Sequence, residues 1–357
     1  MRGTDMQQLG VFSYISVEER VPPDHPLRGI RKIVDQALRS LDGVLGAMYA
    51  KTGRSSVAPE KLIRALLLQV FYSIRSERQL MEQLDYNLLF RWFVGLNMDD
   101  LVWDHSTFSK NRDRLIEVDI ARHLMLAVVE QARVQGLVSE EHFSVDGTLI
   151  EAWASQKSFR PKGEEPPADG GRNPEVDFHG ERRINESHES RTDPESRLYR
   201  KAKGKEAKLS YAGHLLMENR NGFVVDGQAS LATGTAETDT ALDMVNAVAG
   251  DHPITVGGDK GFDAAAFVGG LVAAKGTPHI ARNTTNRESA VPEEIAATEG
   301  YAMSQKFRKR IEEGFGWGKV IGPLRKVKVR GLAKVDWLFK MTMAGYNMIR
   351  LRNLMAA

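Results

Sequence analysis

Apolar residues in the first 136 positions recur at intervals of three and four, which is the spacing of helices with one buried face. One series covers residues 27–41, and a second starts at Pro59, where proline suits the first turn of a helix. Ser106 is expected to cap another helix, and a long amphipathic helix is expected over residues 120–135. We therefore predict an all-helical N-terminal domain.

The apolar pattern changes to alternation near residue 140, as in half-buried strands. A hairpin is expected at residues 219–222, where Asn and Gly favour a tight turn. Further strands alternate with helices expected over residues 237–248 and 264–274. Hairpin and crossover connections together predict an α+β or α/β catalytic domain with a mixed sheet over residues 137–335. Residues 336–357 are predicted to form an amphipathic C-terminal helix.

A polar segment interrupts this second domain at about residues 156–205. It is rich in Pro, Gly, Glu, Arg and Ser and has few apolar residues. Such a composition buries too little surface to offset the entropy of ordering the chain. We predict an insertion that is disordered or ordered only by substrate.

Composition excludes several classes of function. The 357-residue chain is long enough for two domains. It has no cysteine, which excludes disulfides, thiolate zinc sites and cysteine nucleophiles. The patterns GxxxxGK[ST], GxGxxG, HExxH and GxSxG are absent. No apolar run reaches the ~20 residues of a membrane span, and the first residues do not resemble a signal peptide, so a cytoplasmic protein with no membrane partner is predicted.

Three carboxylates stand out by their positions. Asp146 in SVDGT and Asp259 in GGDKGFD each follow an apolar strand, and Glu312 belongs to a charged helix. Acids at strand ends and on a facing helix can converge on one crevice, and oxygen ligands favour Mg²⁺ or Mn²⁺. The alternative is structural, because an Asp before Gly is most often a turn former. The other acids near these motifs are interpreted as a turn former (Asp226), a helix cap (Asp263) and first-turn acids of a helix (Glu237 and Asp239).

Positive charge is concentrated between residues 305 and 334. Ten Lys or Arg are opposed there by only Glu312 and Glu313, which is typical of a polyanion-binding surface. A helix would place Arg308, Glu312 and Lys319 within about 40° around its axis, with Glu313 pointing away. The alternative is a solvated basic helix. The candidate DNA-binding residues are Lys306, Arg308, Lys309, Arg310 and Lys319, with Lys110 and Arg112 from an N-terminal helix that could equally belong to a structural bundle.

These motifs together resemble the DDE transposases of bacterial insertion sequences, specifically the insertion-sequence-five type with a Tyr-Arg-Glu-Lys signature. The similarity covers nearly the whole chain. It includes the early segment VPPDHPLRGI, the helical segment from LIRALLLQVF onward, SVDGT, ATGTAETD, GGDKGFD and SQKFRKRIEEGFGWGK. The signature tyrosine falls at Gln305, since Tyr301 lies four residues too early, so the usual tyrosine contact with DNA is made differently here or by Gln305.

The resemblance implies a ribonuclease H-like catalytic domain with an insertion. It implies that Asp146, Asp259 and Glu312 hold two Mg²⁺ or Mn²⁺ ions, and that Arg308 and Lys319 position the DNA backbone. It further implies binding of double-stranded DNA at the terminal inverted repeats, cleavage of the element ends, and attack of the freed 3′-hydroxyl on target DNA. A homodimer or larger assembly on DNA, associated with the bacterial nucleoid, is expected.

Two alternatives remain open from the sequence. One is a degenerate transposase that binds DNA as a regulator without catalysis. The other is a metal-dependent DNA nuclease that cuts without strand transfer. The presence of all three acids argues against the first. The helical N-terminal domain and the basic insertion together favour a transposase over the second.

Overall fold

The computed structural model describes residues 15–50, 52, 56–163, 183–200, 204, 206–285 and 287–356. Eight helices come first: α1 (Val17–Arg20), α2 (Pro26–Ser40), α3 (Asp42–Ala47), α4 (Pro59–Phe71), α5 (Glu77–Tyr86), α6 (Leu88–Val94), α7 (His105–Glu117) and α8 (Ile120–Val134). Later helices are α9 (Ala236–Val248), α10 (Ala265–Ala273), α11 (Glu293–Ala296), α12 (Glu299–Phe307), α13 (Ile311–Val320) and α14 (Leu332–Ala356). No helix among the described residues is long and apolar enough to cross a membrane.

The starts of the N-terminal helices follow ordinary capping chemistry. Pro59 occupies the first turn of α4, as predicted, because its fixed φ suits that position. The cap of α7 is Asp104, whose carboxylate accepts the N–H of Ser106 at 2.8 Å. The predicted cap at Ser106 is therefore wrong, because a carboxylate two residues earlier binds the free N–H groups of the first turn.

The strands form one mixed six-stranded sheet and a separate two-stranded ribbon. In the main sheet β5 lies between β1 on one side and β4 and β6 on the other, and β7 and β8 follow β1 in parallel. This arrangement confirms the predicted mixed α/β class. The strands are β1 (His142–Glu151), β2 (Phe159–Pro161), β3 (His188–Ser190), β4 (Arg197–Tyr199), β5 (Lys208–Glu218), β6 (Val224–Leu231), β7 (Ile254–Gly258) and β8 (Gly276–Ile280).

The predicted hairpin joins β5 to β6. Gly222 has φ +73°, a conformation that side chains with a Cβ rarely adopt. The fully buried carboxylate of Glu218 accepts the backbone N–H groups of Arg220, Asn221 and Phe223 at 2.8 to 2.9 Å. The turn is therefore fixed by both the glycine and one acid.

The C-terminal helix α14 lies in the core and packs against α8, α2, α4 and β6. Residues 339–348 are all buried, so the prediction of an amphipathic helix is wrong: apolar neighbours surround it. Buried Asn347 binds both the N–H and the carbonyl of Val224, at 3.0 and 2.8 Å. Buried Lys340 bridges Asp119 and Asp336. One hydrophobic core thus joins the N-terminal helices to the sheet.

Part of the polar insertion belongs to the described residues, and this part is ordered. Its described residues include the β2–β3 ribbon and β4, which extends the main sheet. Buried Asp193 accepts the hydroxyl of Tyr211 at 2.6 Å and the N–H of Gly331 at 3.1 Å. The prediction of a segment without order is wrong for these residues, because polar contacts to the sheet replace the missing apolar core. Residues 164–182, within the predicted insertion, lie outside the described ones.

The last of the N-terminal helices, α8, ends at Val134, and the first strand starts at His142, close to the predicted boundary at residue 136. The division into domains at 136 and 335 stays a prediction.

Candidate functional site

Asp146 and Asp259 lie side by side because of strand register. Parallel pairing of β1 with β7 sets Ser144 opposite Gly257. Asp146 lies two residues further along β1, and Asp259 lies two residues after Gly257, directly beyond the end of β7. Side chains two residues apart point to the same face of a sheet. The two carboxylates therefore share one level and one face at the end of β7. The side chain of Asp259 accepts the N–H of Gly261 at 2.7 Å, which fixes its orientation.

Asp146 lies inside β1 and not at the end of a strand as predicted. Pairing with β5 continues to Glu151, and Asp146 is opposite Leu215. Gly147 is therefore not a turn residue. A Cβ on Gly147 would lie 3.0 Å from Cδ of Glu237 and closer still to one of its carboxylate oxygens. The glycine leaves room for the end of the Glu237 side chain, which approaches the backbone of β1.

Glu237 is a site residue that the sequence analysis assigned to a structural role. It does lie in the first turn of α9, as expected, but its carboxylate reaches between Gly147 and Gly261, the glycines beside the two aspartates. Its electrostatic influence on Asp146 places it within the same acid cluster. The sequence did contain a signal for this role, because Glu237 lies in ATGTAETD, one of the segments that carry the family resemblance.

Glu312 comes from the first turn of α13 and is close enough to Asp146 to repel its negative charge. The predicted helical segment is present, with one tighter 3₁₀ turn at Arg308–Arg310 between α12 and α13. Glu313 points away and pairs with Arg350 of α14 at 3.1 Å, as the helical spacing predicts. Asp146, Glu237, Asp259 and Glu312 are hereafter the acid cluster.

The acid cluster changes the ionisation of Asp146. Burial, together with repulsion from Asp259, Glu237 and Glu312, raises the pKa of Asp146 to about 7, although the N–H of Gly147 opposes the shift. Carboxylates that repel each other in a half-buried crevice form a site at which a cation is favourable. No group of three or more His, Asp or Glu among the described residues is already close enough to hold a metal ion. The acids therefore share a crevice without forming a closed coordination sphere.

Lys319 and Arg308 flank the cluster in different ways. Lys319, in the last turn of α13, donates a 2.6 Å hydrogen bond to the hydroxyl of Thr148 on β1. Arg308 lies over the end of β7 near Gly257 and donates to Gln305 at 2.8 Å. Gln305 in turn donates to the carbonyl of His279 at 2.5 Å. The residue in place of the signature tyrosine thus links Arg308 to β8.

Tyr301 occupies a structural position one turn earlier. Its hydroxyl donates to the carbonyl of Ile280 at 2.9 Å and accepts the N–H of Arg282 at 3.3 Å. These two hydrogen bonds fix the chain at the end of β8. Tyr301 is separated in sequence from every residue of the acid cluster.

The remaining candidate DNA-binding residues separate into exposed and structurally engaged groups. Lys306, Lys309 and Lys110 are exposed. Arg310 donates to the carbonyls of Asn219 and Arg220 in the β5–β6 turn. Arg112 pairs with Glu77 and Asp113, so it also joins α7 to α5. These contacts give Arg310 and Arg112 structural roles, whereas Lys306, Lys309 and Lys110 take no part in them.

Two other acids have structural roles, although not the predicted ones. Asp226 lies within β6 opposite Leu216, not in a turn, and accepts the N–H of Gly227 at 2.8 Å. Asp263 does not cap α10. Burial alone would raise the pKa of Asp263, but hydrogen bonds from the N–H groups of Asn283 and Ala290 hold that pKa below its usual value. A buried carboxylate therefore fixes the loop after β8.

Comparison with known families supports a transposase. Residues 15–114 match the model of a transposase domain (DUF772). The match begins just before α1 and ends within α7, so it includes Lys110 and Arg112 and stops before the acid cluster. No curated protein matches the sequence.

Two solved transposase structures are similar to this chain. The cryo-EM structure of a piggyBac transposase synaptic complex with hairpin DNA has 11% sequence identity and a TM-score of 0.40, over 93% of this chain and 76% of that chain. The crystal structure of a pre-cleavage Mos1 transpososome has 8% identity and a TM-score of 0.21, over 93% of this chain and 98% of that chain. Neither similarity establishes a shared fold at these scores.

Proposed function

We propose that the protein is a DDE transposase of the insertion-sequence-five type, with a ribonuclease H-like catalytic domain. The observation that carries the proposal is the convergence of Asp146, Asp259 and Glu312, which come from β1, the end of β7 and α13. The transposase-domain match over residues 15–114 supports the same assignment. The mixed sheet is consistent with the expected catalytic domain, because Asp259 directly follows the parallel strand β7 and Asp146 lies at the same level within β1.

The acid cluster fits two Mg²⁺ or Mn²⁺ ions in its donor chemistry. All its donors are carboxylate oxygens, which these ions prefer. Burial, with added repulsion from the neighbouring acids, raises the pKa of Asp146, and a bound cation would favour its charged form. Binding requires the carboxylates to move closer together, since the described residues form no closed site. When bound, such ions activate the attacking oxygen and stabilise the leaving oxygen at phosphorus.

The basic residues would orient the DNA. Lys319 reaches the hydroxyl of Thr148, two residues from Asp146, so its ammonium group is placed to hold a phosphate beside the acids. Arg308 would hold the backbone on the side of β7, with its guanidinium oriented by Gln305. Exposed Lys306 and Lys309 extend this positive surface. The substrate is double-stranded DNA at the element ends, followed by target DNA, in a homodimer or larger assembly.

Cleavage of a plasmid that carries the gene with its flanking DNA tests the proposal. Purified protein would be incubated with Mg²⁺, Mn²⁺ or EDTA, and Asp259→Asn would be compared with Asp239→Asn, an exposed acid of the same α9 turn as Glu237. We expect metal-dependent nicks at both gene ends and joined products from the wild type and Asp239→Asn only. Nicks without joining would indicate a nuclease. Binding of the ends without cleavage in any metal would contradict catalysis and leave a DNA-binding regulator.

A further inference from the structure

A groove of about 880 Å³ lies between the N-terminal helices and the segment that follows α13. Its walls come from the end of α4, the start of α5, α7, residues 319–329 and α14. The hydroxyl of Ser73, just after α4, donates to the carbonyl of Ile321 at 2.5 Å and holds the two walls together. The groove is therefore built by both parts of the chain.

Positive charge dominates the groove. Six basic residues line it against one acid, Glu77: Arg75, Arg112, Lys319, Arg325, Lys326 and Lys328. Arg112 pairs with Glu77, and Lys326 pairs with Glu151 at 2.7 Å. Arg75 and Arg325 are exposed and form no ion pair within the described part of the chain. An uncompensated excess of this kind favours a polyanion.

The groove also contains an exposed tryptophan. Trp153 is 39% exposed, and Nζ of Lys328 lies 3.9 Å from its ring centroid. Partial burial and repulsion from Arg75 and Lys326 lower the pKa of Lys328, which agrees with the local excess of positive charge. An aromatic ring among cations is the usual platform on which bases of single-stranded nucleic acid stack.

Lys319 links the groove to the strand that carries Asp146. Lys319 lines it and donates to Thr148 beside Asp146, and Trp153 follows the strand that carries Asp146. Lys319 lies about 10 Å along α13 from Glu312, and Trp153 lies about 20 Å along the chain from Asp146.

We propose that this groove binds single-stranded DNA adjoining the reacting phosphate. Arg75, Arg325 and Lys328 hold its phosphates, and Trp153 stacks on a base. A single strand is favoured over a duplex because a ring can stack only on a base that has left the double helix. The inference rests on the proposed function for the identity of the strand as DNA near a cleaved end.

Fluorescence anisotropy with a labelled 12-nucleotide single strand, in EDTA, tests the groove without catalysis. We expect tighter binding of the single strand than of a hairpin duplex of equal length. Trp153→Ala should weaken single-strand binding about tenfold or more, and Trp153→Phe should retain most of it. Arg75→Glu and Arg325→Glu should each reduce the slope of log K against log salt by about 0.7 or more. Tyr86→Ala and Lys32→Glu, exposed residues outside the groove lining, are matched controls.

The proposal is overturned if folded Trp153→Ala binds the single strand as tightly as the wild type, or if the controls weaken binding equally. Circular dichroism establishes that each variant is folded. Tryptophan-dependent binding without cleavage in any metal would refute the transposase activity and leave the groove assignment intact, so the two failures are distinguishable.

Discussion

Replacing Asp146 with Asn should stabilise the metal-free protein at pH 8. Burial and repulsion within the acid cluster raise the pKa of Asp146 from 3.8 to about 7. Because the folded protein binds this proton more tightly than the unfolded chain, the contribution of Asp146 is neutral below about pH 4. It becomes increasingly destabilising between about pH 4 and 7, where the unfolded carboxylate has ionised freely. Above pH 7 the full penalty is present.

The magnitude follows from the size of the shift. A difference of about three pKa units corresponds to about 4 kcal/mol, at about 1.4 kcal/mol per unit. Solvent screening, and the weaker hydrogen bond that a neutral Asn oxygen accepts from Gly147, reduce the expected gain to about 1–3 kcal/mol for Asp146→Asn. At about 2 °C per kcal/mol for a protein of this size, the melting temperature should rise by a few degrees at pH 8 and hardly at all near pH 4.

Thermal denaturation in EDTA at pH 4, 5, 6, 7 and 8 measures this effect, and a Mg²⁺ titration at pH 8 adds a second readout. Mg²⁺ at about 100 times its dissociation constant should stabilise the wild type by about 2.7 kcal/mol and Asp146→Asn much less. Asp226→Asn, the other Asp-Gly aspartate within a strand, is the control for the metal response. An equal gain for Asp146→Asn at all pH values, or no gain at pH 8, would refute the reasoning.

Three further changes probe the packing around this site and of α14. Glu237→Gln should lower the pKa of Asp146, because it removes one of the repelling charges, and should move the pH-dependent loss of stability to lower pH. Gly147→Ala should displace the flexible Glu237 side chain and lower the free energy of unfolding by less than about 1.5 kcal/mol. If it acts only through residue 237, DNA cleavage by the double variant Gly147→Ala, Glu237→Gln should equal cleavage by Glu237→Gln alone. Lys340→Met should destabilise the fold by about 3 kcal/mol in urea denaturation at pH 7, because Asp336 is left buried without its cation; a cost below about 1 kcal/mol would contradict this.

The sequence predicted local structure correctly where residues close together in the chain decide it. The start of α4 at Pro59, the hairpin at Gly222 and the outward direction of Glu313 each depend on φ preference or helical spacing, and each was predicted correctly. Asp146, Asp259 and Glu312 could also be selected from their motifs as candidate site residues. Spacing alone did not decide whether these acids have a structural role or belong to a functional site.

Contacts between distant segments decided the rest. Asp146 and Gly147 lie within a strand because β5 pairs along the whole of β1, and no local pattern distinguishes that position from a turn. Glu237 reaches the acid cluster only because α9 packs over β1. Its position in the first turn of a helix could therefore not predict its place beside Asp146. The burial of residues 339–348 of α14 on all sides depends on the N-terminal helices and β6 together. The sequence by itself determined the element types and the candidate acids; the tertiary structure decided the register, the fourth acid and the basic groove, because these depend on which surfaces the folded chain brings together.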